Sequence, residues 1–349
     1  MINRRNFVKS SAITGIGIVT SASLFTKFKS IKGLRVGIIG LDTSHSIEYT
    51  KILNAPASGE GFNGYKVVAA YPQGSLNIKT SVERIGDFTG QMKTMGIEIV
   101  GSIDSLLEKV DVVLLETNDG RRHLEQAIPV LKAGKRMFID KPMAASLSDA
   151  MIIFDEAQKY HIPIFSSSSL RFIKGMDEIK YGAIGNVIGA EAFSPAPIEK
   201  THPDLFWYGI HGVEILFTAM GIGCKTVIRI ATPDTDVLVG TWNDGRIGTF
   251  RGSRSGVYEF GAQIFGEAEN RTLGTNIDKK KSHNYGFIEL IRSVGEYFKT
   301  GFVPVKPEET LEILAFMEAA DESKKRGGIP VSIEEIIERA KTESIKYQL

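Results

Sequence analysis

The sequence predicts an α/β fold in which a doubly wound parallel sheet is followed by an α+β domain with a predominantly antiparallel sheet. Three observations predict it. From residue 34 to residue 160, short apolar β-type runs alternate with helical patterns, the rhythm of strands joined by crossover helices. Those runs are nearly continuous in apolar residues, as strands buried on both faces are. After Ile162-Pro163-Ile164-Phe165 the rhythm changes, and Asp-Gly, Gly-Ser and similar turns separate the apolar runs up to Gly266.

The elements follow in order. Strand runs at residues 34–39, 65–70, 97–100, 110–115 and 136–139 interleave with helical patterns at 46–53, 124–133 and 147–160. The second section carries strand runs at 187–193, 226–231, 236–242, 247–251 and 258–265. Helical patterns at 287–298 and 308–324 close the chain, with Gly327-Gly328 ending the latter. At 349 residues and 38.3 kDa the chain exceeds the usual size of one core, so two domains are expected.

Composition narrows the function classes. With 42% hydrophobic and 24% charged residues the chain is neither disordered nor collagen-like. Its 42 basic and 41 acidic residues nearly cancel, but Arg4, Arg5, Lys9, Lys27 and Lys29 lie in a start that holds no acid. The remaining body is mildly acidic and lacks the field that nucleic-acid binding needs. One cysteine, Cys224, excludes an intramolecular disulfide and a cysteine-rich zinc site. The six histidines are scattered along the chain, and no metal site is expected from their spacing.

The first thirty residues read as an export signal: a basic start, an uncharged run from Ser10 to Thr26, and small residues at Ser21-Ala22-Ser23. Arg4-Arg5 followed by Phe7 and Lys9 resembles the twin-arginine signal, which a receptor reads. The alternatives are a chance basic N-terminus or a short membrane anchor, for which the run, interrupted by Gly15 and Gly17, is marginal. An exported, periplasmic protein with no stable membrane span after signal removal is the expectation.

The first strand-to-helix turn reads Gly37-Ile38-Ile39-Gly40-Leu41-Asp42-Thr43-Ser44-His45. Laid on G-x-G-x-x-G, Gly40 fills the first position, while Asp42 and His45 stand at the second and third. A carboxylate at the second position repels a pyrophosphate if it faces one; otherwise Asp42 or Ser44 caps the helix that follows. Thr43, Ser44 and His45 can donate at a helix start, where free N–H groups favour an anion. The acid that reads an unphosphorylated ribose is missing after Ala70, and Ser75 and Lys79 are the residues there that can meet a 2′-phosphate.

Further on come Asp111-Val-Val-Leu-Leu-Glu116-Thr117-Asn118, then His123, Ala133-Gly134-Lys135 and Asp140-Lys141-Pro142. Arg171-Phe172, Gly182-Ala183-Ile184-Gly185 and Gly209-Ile210-His211-Gly212-Val213-Glu214 continue the series. In order and spacing these resemble the glucose–fructose oxidoreductase, inositol dehydrogenase and rhizopine-catabolism (Gfo/Idh/MocA) family, Asp140 standing where the family's E-K-P motif has glutamate. After the export signal at 1–30, the resemblance implies a Rossmann-like dinucleotide-binding domain at 31–170 and a substrate and oligomerisation domain at 171–349. It implies NAD or NADP as cofactor, a sugar, polyol or related carbohydrate as substrate, and a homo-oligomer.

Residue by residue, the resemblance makes Lys141 the lysine at the reacting hydroxyl and His211 the acid/base. Both roles have a chemical reason: the hydroxyl loses a proton as hydride leaves, and an ammonium stabilises the developing oxygen. Gly40, Thr43, Ser44, His45, Ser75, Thr117, Asn118 and Lys141 are the expected cofactor contacts, and Arg171 and Trp207 the expected substrate contacts. In much of the family an aspartate precedes the histidine by four residues, and here that place holds Trp207, which suits stacking on a sugar. Glu214 is the third catalytic candidate, able to orient His211 or bind a hydroxyl, or else an ordinary helix acid. Asp204 and His202 lie before the same helix. The serines from Ser166 to Ser169 end a strand close to the expected cleft.

Export has a mechanistic consequence, because free nicotinamide cofactor is not expected outside the cytoplasm. An exported oxidoreductase therefore keeps its cofactor bound and restores it within its own cycle. Three readings follow: a carbohydrate oxidoreductase with tightly held NAD(P), an NAD-dependent glycosidase or lyase with transient oxidation, and a non-catalytic carbohydrate-binding relative. Asp42, His45 and Trp207 are the evidence for the last.

Overall fold

A computed structural model describes residues 34–55, 61–274 and 285–348, and the expected export signal lies outside them. Among the described residues no helix is long and apolar enough to cross a membrane. The first sheet comprises β1 (Arg35–Ile39), β2 (Lys66–Tyr71), β3 (Glu98–Ile99), β4 (Val112–Leu115), β5 (Arg136–Asp140) and β6 (Ile164–Ser167). All pairs are parallel, in the order β3-β2-β1-β4-β5-β6, so the strand order reverses beside β1. Its crossovers are α1 (Ser44–Asn54), α2 (Lys79–Thr94), α3 (Ile103–Leu107), α4 (His123–Lys132) and α5 (Leu147–Lys159).

The two-residue period of each strand divides the core. Ile38, Val112, Leu114, Phe138 and Phe165 pack on one side of the sheet. Ile39, Val113, Leu115, Met137, Ile139 and Ile164 pack on the other with α4 and α5. α2 was not anticipated; it buries fully only Ser81 and Met92, while Phe88 packs half-buried against the core.

After the short α6 (Met176–Lys180) come β7 (Val187–Pro195) and α7 (Ile210–Met220), then β8 (Cys224–Ala231), β9 (Thr235–Trp242), β10 (Ile247–Ser253), β11 (Gly261–Gly266) and β12 (Asn270–Gly274). α8 (Phe287–Thr300), α9 (Pro307–Lys325), β13 (Val331–Ser332) and α10 (Ile333–Gln348) complete the described chain. The second sheet runs β12-β11-β7-β10-β9-β8-β13; β7 and β10 are parallel and the other pairs antiparallel. α7 lies on this sheet at close range. A Cβ on Gly212 would stand 2.2 Å from the Phe250 ring, so only glycine lets the helix carrying His211 settle there.

The division at residue 170 is not clean, because α8 returns to the first sheet. Leu290, Ile291, Val294, Tyr297 and Phe298, an apolar stripe at helical spacing, pack with Ile38, Leu114 and Phe138. The Tyr297 hydroxyl donates to the Pro163 carbonyl at 2.5 Å and accepts from the Met137 N–H at 3.1 Å. Arg136 in turn donates to the carbonyls of Phe298 and Lys299, at the end of α8.

Tyr297→Phe keeps the ring but orphans a buried N–H at the start of β5. We expect it to lower the unfolding free energy by about 1–3 kcal/mol, measured by urea unfolding. Unchanged stability would mean that apolar packing alone holds α8.

Candidate functional site

The site is built on the carboxyl ends of β1, β4, β5 and β6, where an open parallel sheet receives its ligands. β1 passes into Gly40, whose φ of 90° and whose approach to Thr117 both require glycine: a Cβ would lie 2.5 Å from the Thr117 nitrogen. Thr43 caps α1, its hydroxyl accepting from the His45 N–H. Asp42 neither caps the helix nor faces a phosphate. Its carboxylate is fully buried and accepts from the Ser75 N–H at 2.7 Å and the Asn118 N–H at 3.0 Å, tying the loops after β1, β2 and β4 together. Burial pushes the Asp42 carboxyl upward, and the two N–H bonds oppose that shift.

Three titratable side chains, His45, Glu116 and Asp140, meet at the ends of β4 and β5. His45 Nδ1 lies 2.7 Å from Asp140 Oδ2, so the imidazole expected at the cofactor is engaged inside the protein. Glu116, which follows β4, is fully buried, and neither of its oxygens has a hydrogen-bond partner. Burial and the neighbouring Asp140 charge push Glu116 well above the carboxylate range. Asp140, against its own burial, is pulled down by the His45 ring and the Lys141 ammonium. Lys141 begins the cis Lys141-Pro142 peptide and is 5% exposed.

The other wall comes from the end of β6 and from α7. The Ser168 hydroxyl lies 2.7 Å from His211 Nδ1, while the ring also meets Tyr208 and Phe260 edge-on. Burial, then the charges of Lys141 and His45, hold His211 well below its ordinary value, which places all three groups within electrostatic reach of one another. Glu214 does not touch the imidazole as expected. It accepts from the Ser168 N–H at 3.2 Å and from Arg171 at 2.6 Å, and so reaches His211 only through Ser168. Arg171 spends its other end on Glu309 at 2.6 Å, and its guanidinium is committed to protein carboxylates rather than presented to a substrate.

Trp207 also departs from expectation. α7 begins only at Ile210, so Trp207 and His211 do not share a helical turn; the half-buried indole packs 5.2 Å from the His202 ring. His202 in turn faces Asp119 at 3.3 Å. Asp119 also takes Ser75 Oγ and Arg121, and despite burial these contacts hold it far below the carboxylate range. The Ser75 hydroxyl is thereby used twice, donating to Asp119 and accepting from the Ile78 N–H, rather than left to meet a 2′-phosphate. The Asn118 side chain donates to Ser81, Lys79 is exposed beside Glu83, and Asp204 pairs with Arg229 and Lys324.

The residues fit a dinucleotide at the phosphate loop and beyond it. Asp42, sequestered on two main-chain donors, presents no repelling charge. The N–H groups of the first turn of α1, unmet by helix carbonyls, begin at exposed Ser44. Thr117 Oγ1 is buried beside Gly40 without a partner. Ser168, Glu116, Asp119 and Glu309 were not assigned roles from sequence. Of these Glu116 had a signal, a charge ending an apolar run at the ligand end of a strand.

Comparison with known proteins agrees with this geometry. Residues 34–167 match the oxidoreductase family GFO_IDH_MocA, described by its NAD-binding Rossmann fold. The chain is similar to a myo-inositol 2-dehydrogenase of Thermotoga maritima, 26% identical over 238 residues that cover 57% of this chain and 71% of that protein. In fold it resembles a probable dehydrogenase from Thermotoga maritima, with a TM-score of 0.71 and 20% identity over 87% of this chain and all of the other. It also resembles a scyllo-inositol dehydrogenase from Lactobacillus casei solved with NAD(H) and scyllo-inositol, with a TM-score of 0.69, 15% identity and coverage of 87% and 100%.

Asp42→Gly distinguishes a tie between loops from a charge facing the ligand. Losing the acceptor orphans two buried N–H groups, so stability should fall by about 2–4 kcal/mol in chemical denaturation, with no gain in dinucleotide affinity. Tighter binding at unchanged stability would show that the carboxylate acts on the phosphate.

Proposed function

We propose that the chain, whose residues 34–167 match the oxidoreductase family GFO_IDH_MocA with its NAD-binding Rossmann fold, transfers a hydride between tightly held NAD(P) and a carbohydrate. The observation that carries the reading is the register of β5 with β6: Asp140 and Ser167 are partners, so Lys141 follows beside Ser168, whose hydroxyl lies 2.7 Å from His211 Nδ1. The similarity to inositol dehydrogenases supports a sugar, polyol or cyclitol CH–OH as the reacting group.

When bound, the nicotinamide supplies the hydride acceptor. His211, kept neutral by burial, is in the form that takes a hydroxyl proton. In the tautomer whose Nδ1–H donates to Ser168 Oγ, Nε2 carries the lone pair for that transfer. Lys141 brings its ammonium to the oxygen on which charge develops. Glu214 is a positioning residue, since it holds the Ser168 main chain and Arg171 rather than substrate.

The twin-arginine-like start supports export, and with it a cofactor that stays bound through each cycle. Regeneration then requires a second substrate to reduce, or return of the hydride to the molecule that gave it. The non-catalytic alternative has lost its main support, since Asp42 is turned into the protein. The exposure of Ile230 and Ile247 on one face of the second sheet, which no described helix covers, supports homo-oligomerisation.

Protein made in a cytoplasm and desalted should release NAD or NADP on denaturation, detected by mass spectrometry. Absence of both, with no binding on adding either, would sink the proposal. Lys141→Ala and His211→Ala should each cut turnover of inositols or sugars by about 10²-fold or more while retaining the nucleotide.

The pH dependence follows from the depressed His211. Its imidazole should stay neutral as pH falls through 6.5, the ordinary histidine value, and protonate only in more acid solution. Lys141→Ala removes a charge that depresses it and should move its NMR titration to higher pH. An unmoved midpoint would show that the two side chains are uncoupled.

A further inference from the structure

We propose that the ends of β4 and β5 form, with the first turn of α1, a site for one divalent transition-metal ion held by His45, Glu116 and Asp140. Spacing along the chain hides this trio, and strand pairing creates it. Leu115 and Ile139 are register partners on adjacent parallel strands, so Glu116 and Asp140 follow side by side. His45 reaches them from α1, and the ligand atoms of the three residues lie within 4.8 Å of one another.

What calls for an ion is the missing partners. Both Glu116 oxygens and Asp140 Oδ1 accept no hydrogen bond, although the two residues are 0% and 1% exposed. Two adjacent carboxylates out of water repel each other, and although the charges of His45 and Lys141 reach Asp140, neither side chain places a donor on these three oxygens. A second observation is independent of the trio. The hydroxyl of fully buried Tyr49 also lacks a partner, its ring stacks on His45 at 5.3 Å, and it lies within electrostatic reach of Asp140 and Glu116.

One imidazole nitrogen with two carboxylate oxygens suits zinc or manganese better than the all-oxygen preference of calcium or magnesium. Three protein ligands leave at least one position open on such an ion. The His45 side chain, 12% exposed, marks the side open to solvent. The proposal stands apart from the redox reading, since ion binding requires neither nicotinamide nor substrate.

The test is calorimetric titration of the untagged, chelator-stripped chain with ZnCl2 and, separately, MnCl2. One equivalent of at least one ion should bind, and Glu116→Gln and Asp140→Asn should each weaken it by about 10-fold or more. Glu98→Gln, at an exposed acid paired with Lys109, should leave binding unchanged. Thermal unfolding guards against misfolding: the ion should raise the melting temperature of the wild type, whereas metal-free Glu116→Gln should be at least as stable as the metal-free wild type. No stoichiometric uptake of either ion, or equal uptake by Glu116→Gln, would overturn the site.

Discussion

Much of the cleft depends on one buried carboxylate. At the ends of parallel strands the main chain leaves its ladder, and each N–H that loses a carbonyl there needs another acceptor. Asp42 provides it for two loops at once, receiving Ser75 from beyond β2 and Asn118 from beyond β4. Gly40 lets the first loop press on Thr117, and together these contacts fix where α1 begins. The position of His45 against Asp140 follows from that starting point. The phosphate loop is thus organised by the protein's own hydrogen bonds, with its acid turned inward.

A second buried carboxylate does comparable work where the two sheets meet. Glu214 on α7 holds Arg171 and the Ser168 N–H, while Arg171 extends the chain of contacts to Glu309 on α9. Buried ion pairs give little net stability once desolvation is counted, but losing one partner leaves a costly unpaired charge. Their value here is positional. The histidine is held against a serine whose main chain is itself held, so its ring orientation is set by three segments distant in sequence.

The parallel sheet was legible because β4 and β5 are buried throughout, which leaves unbroken apolar runs in the sequence. α2 was passed over, although Val82, Ile85, Phe88 and Met92 recur along it at helical spacing. Lys141 and His211 were singled out through motifs, whose order survives even where single positions change, and the structure buries both. The direction of Asp42 was not, because it turns on acceptor-seeking N–H groups 33 and 76 residues away. Trp207 was misplaced for a local reason: the turns before Ile210 break the helical spacing assumed between it and His211. Glu116 and Asp140 became neighbours only through strand pairing, which no spacing along the chain expresses.

The return of α8 to the first sheet makes the second sheet an insertion within the nucleotide-type domain. A fragment ending near residue 170 would contain every strand of the first sheet and still lack part of its cover. Ile38, Leu114, Phe138 and Phe165 would face water where Leu290, Ile291 and Val294 now pack, and Met137 would lose its bond to Tyr297. Dissection of this protein by simple truncation would therefore yield a sticky half rather than a free-standing module. A soluble nucleotide-type domain would have to be assembled from two separated stretches of the gene, joined so that α8 closes back over the sheet.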